Sequence, residues 1–187
     1  MKFSKPTRVC IFGLQGSGKS VYLKYICREN PKHLVYDIMH EHNGLNQYLP
    51  ENKMFYDDAT LAELDNVIKK LIIDKPNKIK LLAIDECNRL CPNRRPLPST
   101  IGYLNDEHRH MGLSLVFVAR RPSQMNTDLV ELAHILIIYR LTGKNDCDYL
   151  NNIVDGLGDK AKELDDYHYL YVDEHRHVKE CEPVEMD

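Results

Sequence analysis

The sequence predicts an α/β domain with a mainly parallel central sheet flanked by helices and a β-hairpin at its C-terminal end. Three observations carry this prediction. Short runs rich in Val, Ile and Leu and nearly free of charge recur along the chain, as strands buried on both faces require. Segments between them space their apolar residues at helical intervals. The last stretch alternates instead, with period two.

In chain order, the strand-like runs are Arg8 to Phe12, His33 to Ile38, a short one at Met54 to Tyr56, Lys80 to Ile84, Leu113 to Ala119 and Ile135 to Leu141. Ser20 to Arg28 reads as the first helix, stopped by Asn30-Pro31. Asp58 is placed to cap a second helix through Ile73, because Leu61, Leu64, Val67, Ile68 and Leu71 share one face. A third helix is expected over Ser99 to His108 and a fourth from Asn126. A further helical stretch follows Gly143 and breaks at Gly156-Leu157-Gly158. Tyr167 to Val172 alternates and turns at Asp173-Glu174-His175 into Arg176 to Pro183, the expected hairpin. Nothing marks a domain boundary, so the chain reads as one domain over 1–187, with a core over 8–141 and a helical and hairpin extension over 142–187.

Composition limits what such a domain can do. The 187 residues include 25 Lys and Arg against 28 Asp and Glu, a formal charge of −3. Any contact with nucleic acid must therefore be local, not spread over a basic surface. No apolar run reaches the roughly 18 residues of a membrane span, and no signal-peptide core follows the N-terminus. A cytoplasmic protein with reduced thiols is expected, its six cysteines being scattered.

The strongest motif is Gly13-Leu-Gln-Gly16-Ser17-Gly18-Lys19-Ser20, the G-x-x-x-x-G-K-[ST] phosphate loop, or Walker A pattern. Gly13, Gly16 and Gly18 let the backbone turn and approach phosphate oxygens, and Ser17 contributes a backbone N–H. Lys19 is suited to the β- and γ-phosphates, and the Ser20 hydroxyl to Mg2+. ATP and Mg2+ are the implied ligands. The run Lys80 to Ile84 ends in Asp85-Glu86, a Walker B pattern that sets two carboxylates at the sheet edge where the phosphate loop lies. Asp85 is the expected magnesium ligand, and Glu86 the group that polarises the attacking water. A fully apolar run then stops on Arg120-Arg121-Pro122-Ser123. A polar group there can sense the γ-phosphate, and an arginine can stabilise transition-state charge.

Taken together, Gly13 to Ser20, Ile84-Asp85-Glu86, Arg109-x-x-Gly112 and Arg121-Pro122-Ser123 resemble the HerA/FtsK superfamily, RecA-like P-loop ATPases of the additional-strand catalytic-glutamate type. Within it the short chain resembles viral genome-packaging ATPases. The resemblance spans residues 8–141. It implies a ring oligomer that moves double-stranded DNA and meets a capsid or membrane-vertex protein. The family usually places Gln where this chain has Arg120. Arg109, Arg120 and Arg121 are each candidates for an arginine acting on a neighbouring subunit's nucleotide, and the sequence does not choose among them.

The proline-bounded loop Cys87 to Pro96 carries Arg89, Arg94 and Arg95, candidates for DNA phosphate contacts in a ring channel. His40-Glu41-His42 reads as surface or supporting groups without a full metal-ligand set. Tyr167, Tyr169 and Tyr171 share a strand face and are expected to pack on the core or on a neighbour in preference to stacking on bases. Two other functions remain open: an assembly or secretion ATPase of the filamentous-phage morphogenesis type, and a nucleotide or small-molecule kinase, which Asp85-Glu86 disfavours.

Overall fold

The computed structural model describes residues 1–51 and 56–185. The strands are β1 (Arg8–Phe12), β2 (His33–Tyr36), β3 (Gln47–Tyr48), β4 (Leu81–Ile84), β5 (Ser114–Ala119), β6 (Ile135–Tyr139), β7 (Tyr169–Val172) and β8 (Val178–Cys181). They form one sheet in the order β3-β2-β4-β5-β1-β6-β7-β8. The pairs from β3 through β6 are parallel, and β7 and β8 add antiparallel at one edge. The predicted sheet and hairpin are thus present. Of the run at Met54 to Tyr56, Met54 and Phe55 lie outside the described residues, and β3 stands earlier in the chain.

Parallel pairing explains why the strands read as unbroken apolar runs: both faces are covered. Cys10, Phe12, Leu82, Ile84, Leu115, Phe117, Leu136 and Ile138 point to one face. Val9, Ile11, Leu81, Ala83, Val116, Val118 and Ile137 point to the other, the period-two alternation of a pleated strand. Coverage is uneven, which the sequence did not predict. The first face carries α2 (Asp58–Ile68), α3 (Ser99–Glu107), α4 (Thr127–Glu131), α5 (Lys144–Ile153) and α6 (Leu157–Glu163). The second is covered by α1 (Lys19–Glu29) through Tyr22, Leu23, Ile26 and Cys27, with Met1, Phe3 and Val184 from the chain ends.

Local chemistry sets the helix limits. Asp57, not Asp58, caps α2: its carboxylate accepts from the Thr60 N–H at 2.8 Å. The predicted helix to Ile73 changes at Lys69 into a π-helical turn, Lys69–Ile73. The helix after Gly143 ends at Ile153, as the expected break requires, but a new helix starts at once at Leu157. At φ 72° Gly156 redirects the chain between α5 and α6. The cysteines are free, and all but Cys181 are buried.

Candidate functional site at the strand ends

The parallel strands β1, β2, β4, β5 and β6 deliver their C-terminal ends to one edge of the sheet. Phe12 pairs with Ala119 and Ile138, Ile84 with Phe117, and Tyr36 with Ile84, so the residues that follow each strand leave the sheet side by side. Gly13 to Ser20, Asp37, Asp85-Glu86, Arg120 and Arg140 all start from this edge. This is the crevice where open α/β sheets take ligands.

The loop after β1 is built around a tyrosine. A Cβ on Gly13 would sit 2.7 Å from Tyr139 Cβ and 2.5 Å from Ser17 Oγ, so only glycine lets the loop close against β6. Gly18 is left-handed at φ 110° and is the residue from which α1 starts, while the Tyr139 hydroxyl donates to its carbonyl at 3.3 Å. Lys19, the first residue of α1, is buried and donates from Nζ to the Leu14 carbonyl at 2.9 Å. Burial pulls its ammonium below the usual lysine range, while the nearby Asp85 and Glu86 carboxylates oppose that and Arg120 adds to it. Lys19, Asp85, Glu86 and Arg120 therefore share one electrostatic environment.

The carboxylates are held in distinct ways. Asp85 is 6% exposed; its Oδ1 accepts from the Glu86 N–H at 2.9 Å, and its Oδ2 lies 2.7 Å from His42 Nε2. Each oxygen keeps a second lone pair for a cation. His42 is fully buried, and its backbone N–H donates to Asp37 Oδ2 at 2.9 Å. Asp37, His42 and Asp85 present ligand atoms within 4.8 Å of one another. Carboxylate oxygens together with the Ser20 hydroxyl are the hard donors Mg2+ takes, so the residues present fit that ion. The sequence placed His42 among surface or supporting groups; burial against Asp85 makes it a supporting group.

Glu86 adopts φ 48°, ψ 39°, a left-handed conformation that a non-glycine residue holds at a cost of about 1–3 kcal/mol. Its Oε1 accepts from Arg120 Nε at 2.8 Å. Arg120 thus contacts its own chain's acid. Arg121 turns away: its Nε donates to Asp146 Oδ2 at 2.7 Å, and Ser123 Oγ donates to Oδ1 at 2.6 Å. Arg109 is not part of this gathering. It precedes β5 at the opposite edge, with Nη2 3.0 Å from His134 Nε2.

The arginine loop is pinned beside the edge, not free. Asn93 N–H donates to the Gln124 carbonyl at 2.9 Å and Asn126 Nδ2 to the Arg95 carbonyl at 2.9 Å. Arg94 and Arg121 line a polar cleft of 790 Å3 with Asn88, Asn93 and Asn145. Arg95 lies over the Tyr56 ring at 6.0 Å, and Arg89 ends the short turn Cys87–Arg89 and is half-buried.

A glycine loop between β1 and α1, beside two acids after β4 in a mainly parallel sheet, defines the P-loop NTPase fold, as expected from the sequence. No family model and no curated protein matches the sequence. Solved structures do match. The genome-packaging NTPase B204 of Sulfolobus turreted icosahedral virus 2, in complex with AMP, superposes with a TM-score of 0.78 at 18% identity, covering 97% of this chain and 100% of that one. The cytoplasmic domain of the Thermomonospora curvata type VII secretion ATPase EccC gives 0.64 at 12% identity, over 97% of this chain and 24% of that one. The N-terminal domain of the zonular occludens toxin of Neisseria meningitidis gives 0.50 at 19% identity, over 71% and 76%. Among the described residues no helix is long and apolar enough to cross a membrane.

Proposed function

We propose that this chain is a Mg2+-dependent ATPase that translocates double-stranded DNA as a ring oligomer, in the manner of a viral genome-packaging motor. The observation that carries the reading is the convergence of Lys19, Asp85, Glu86 and Arg120 at one edge of the sheet, in a chain of which 97% superposes on a packaging NTPase. The loop N–H groups and Lys19 bind the polyphosphate. Ser20 and Asp85 would hold Mg2+, which when bound neutralises charge on the β- and γ-phosphate oxygens.

Glu86 supplies the base. As water attacks the γ-phosphorus and the bond to the β-phosphate oxygen breaks, its carboxylate takes the water proton. Arg120 bears on that step because it donates to the same carboxylate. While the pair holds, the Glu86 oxygen that Arg120 occupies is a weaker base. Letting go of Arg120 frees the acid and offers the guanidinium to the γ-phosphate. His42 fixes the Asp85 carboxylate from behind. Arg109 lies too far from its own loop to act there, and its role as a finger is toward a neighbour. Arg94, lining the cleft with Arg121, is the arginine of its loop best placed for a phosphate backbone.

A second reading, an ATPase driving protein assembly or secretion, draws support from the fold shared with EccC. One experiment separates the two: ATP hydrolysis measured with and without double-stranded DNA, with particle mass followed by light scattering. The motor reading expects a ring-sized species whose hydrolysis rises with DNA. A ring indifferent to DNA favours the secretion reading, and phosphate transfer to a small acceptor overturns both.

A further inference from the structure

Of the three tyrosines of the terminal alternation, Tyr167 does not pack on the core. Tyr169 and Tyr171 pack against the α1 face of the core, and Tyr169 meets Tyr22 edge-on with ring centroids 5.0 Å apart. Tyr167, two residues earlier, is 58% exposed. Its backbone is left-handed at φ 65°, a conformation bulky residues adopt only when their surroundings impose it. Its neighbours are tied on either side: Asp166 pairs with Arg140 at 2.8 Å, and the His168 ring lies 2.9 Å from Glu182. The side chain between them is held out over the phosphate loop.

Two hollows meet at this ring. One of 280 Å3 lies between Tyr167, Leu14 to Ser17, Tyr139 and Arg140. The other, of 200 Å3, runs along Gly16 to Val21 and has Tyr167 on its wall. The second follows the path of a nucleotide: the loop N–H groups cradle the α- and β-phosphates, so the nucleoside leaves over the first turn of α1. There it meets Val21, an apolar side chain left 41% exposed. An exposed apolar side chain and an exposed aromatic ring facing one hollow is the lining that a flat heterocycle seeks.

We propose that Tyr167 and Val21 form the nucleobase subsite, the tyrosine ring stacking on the base of the bound nucleotide. The proposal rests on the phosphate-loop reading and deepens it, because the C-terminal extension then completes the nucleotide site. Stacking uses the π-face that every base presents, so the subsite grips the nucleoside without reading one base.

The test compares ADP with inorganic tripolyphosphate by titration calorimetry in Mg2+, for the unsubstituted chain, Tyr167→Ala and Tyr167→Phe. Tyr167→Ala is expected to weaken ADP roughly tenfold while tripolyphosphate changes less than about twofold. Tyr167→Phe is expected to match the unsubstituted chain. Unchanged ADP affinity in Tyr167→Ala overturns the subsite and leaves the phosphate loop standing. Equal weakening of both ligands also overturns it, as does a changed oligomeric mass with no change in the ratio of the two affinities. If the unsubstituted chain binds neither ligand, the phosphate-loop reading falls and this proposal falls with it.

Discussion

The two ends of the parallel strands are separated by β1, five residues and about 13 Å. Both ends gather buried polar groups, but they treat them differently. At the N-terminal end, His134 is the hub. Arg8 N–H reaches its Nδ1 at 3.0 Å, Arg109 Nη2 lies 3.0 Å from its Nε2, and Arg8 Nη1 donates to the Asn105 carbonyl at 3.0 Å. At the C-terminal end, Lys19 is held below its ordinary range, Glu86 sits on a strained backbone, and Asp85 keeps lone pairs in reserve. The lesson concerns where capacity is left. One end gathers its polar groups around a single imidazole that ties β1 to the turn before β5; the other keeps charged groups close together on a strained backbone.

The largest expected effect tests that division directly. Glu86→Gln keeps an oxygen to accept from Arg120 and removes the proton acceptor, so hydrolysis should fall roughly 100-fold or more, with nucleotide affinity and melting temperature nearly unchanged. Arg109→Ala at the other end should leave ATP affinity of the isolated chain as it was. Calorimetry and single-turnover hydrolysis on both variants check this. A loss of affinity in Arg109→Ala, or unchanged turnover in Glu86→Gln, would break the contrast between the ends.

How much of this the sequence disclosed depends on chain distance. Lys19-Ser20 and Asp85-Glu86 were legible because each sits in a short contiguous pattern whose strand and helix are also local. The contact of His42 with Asp85 was not. It joins residues 43 apart and exists only because β2 and β4 pair in parallel and bring both strand ends to one edge. Adjacent acids hid the cap of α2, since Asp57 and Asp58 differ only in which carboxylate meets the Thr60 N–H. Gly156 reads as a breaker in sequence, yet its left-handed turn leads straight into α6. Tyr167 continues an alternation whose hydrogen-bonded strand begins only at Tyr169, so it does not share the core packing of Tyr169 and Tyr171.

A middle-sized effect belongs to the N-terminal end and to pH. A neutral imidazole accepts at one nitrogen and a protonated one at neither, yet donors face both nitrogens of His134. Burial, and then the charges of Arg8 and Arg109, bring its pKa down to about 4. In the unfolded chain the ring takes its proton near pH 6.5. Between those values the unfolded state binds more protons, so stability falls as pH drops from about 6.5 to about 4, by on the order of 2 kcal/mol. Urea unfolding of the unsubstituted chain and of His134→Gln across that window isolates the contribution. Gln still accepts but does not titrate, so its curve should be flatter. Equal slopes would show that the N-terminal end carries no such proton linkage.

The smallest effect asks whether every polar group near the C-terminal end of the strands is held in reserve. Asn126 suggests otherwise. Its Oδ1 accepts from the Asp128 N–H at 3.0 Å and caps α4, while Nδ2 donates to the Arg95 carbonyl and ties down the arginine loop. Both bonds are spent, and the residue is 7% exposed. Asn126→Ala should therefore cost about 1 kcal/mol of stability without altering nucleotide affinity. Asn126→Asp separates the two bonds, because a carboxylate restores the cap but cannot donate to Arg95. If the loop tie matters to DNA contact, Asn126→Asp should regain the melting temperature yet keep a reduced DNA stimulation of hydrolysis. Full recovery of both would mean that Asn126 serves α4 alone and that the position of Arg94 is set by Asn93 and its bond to Gln124.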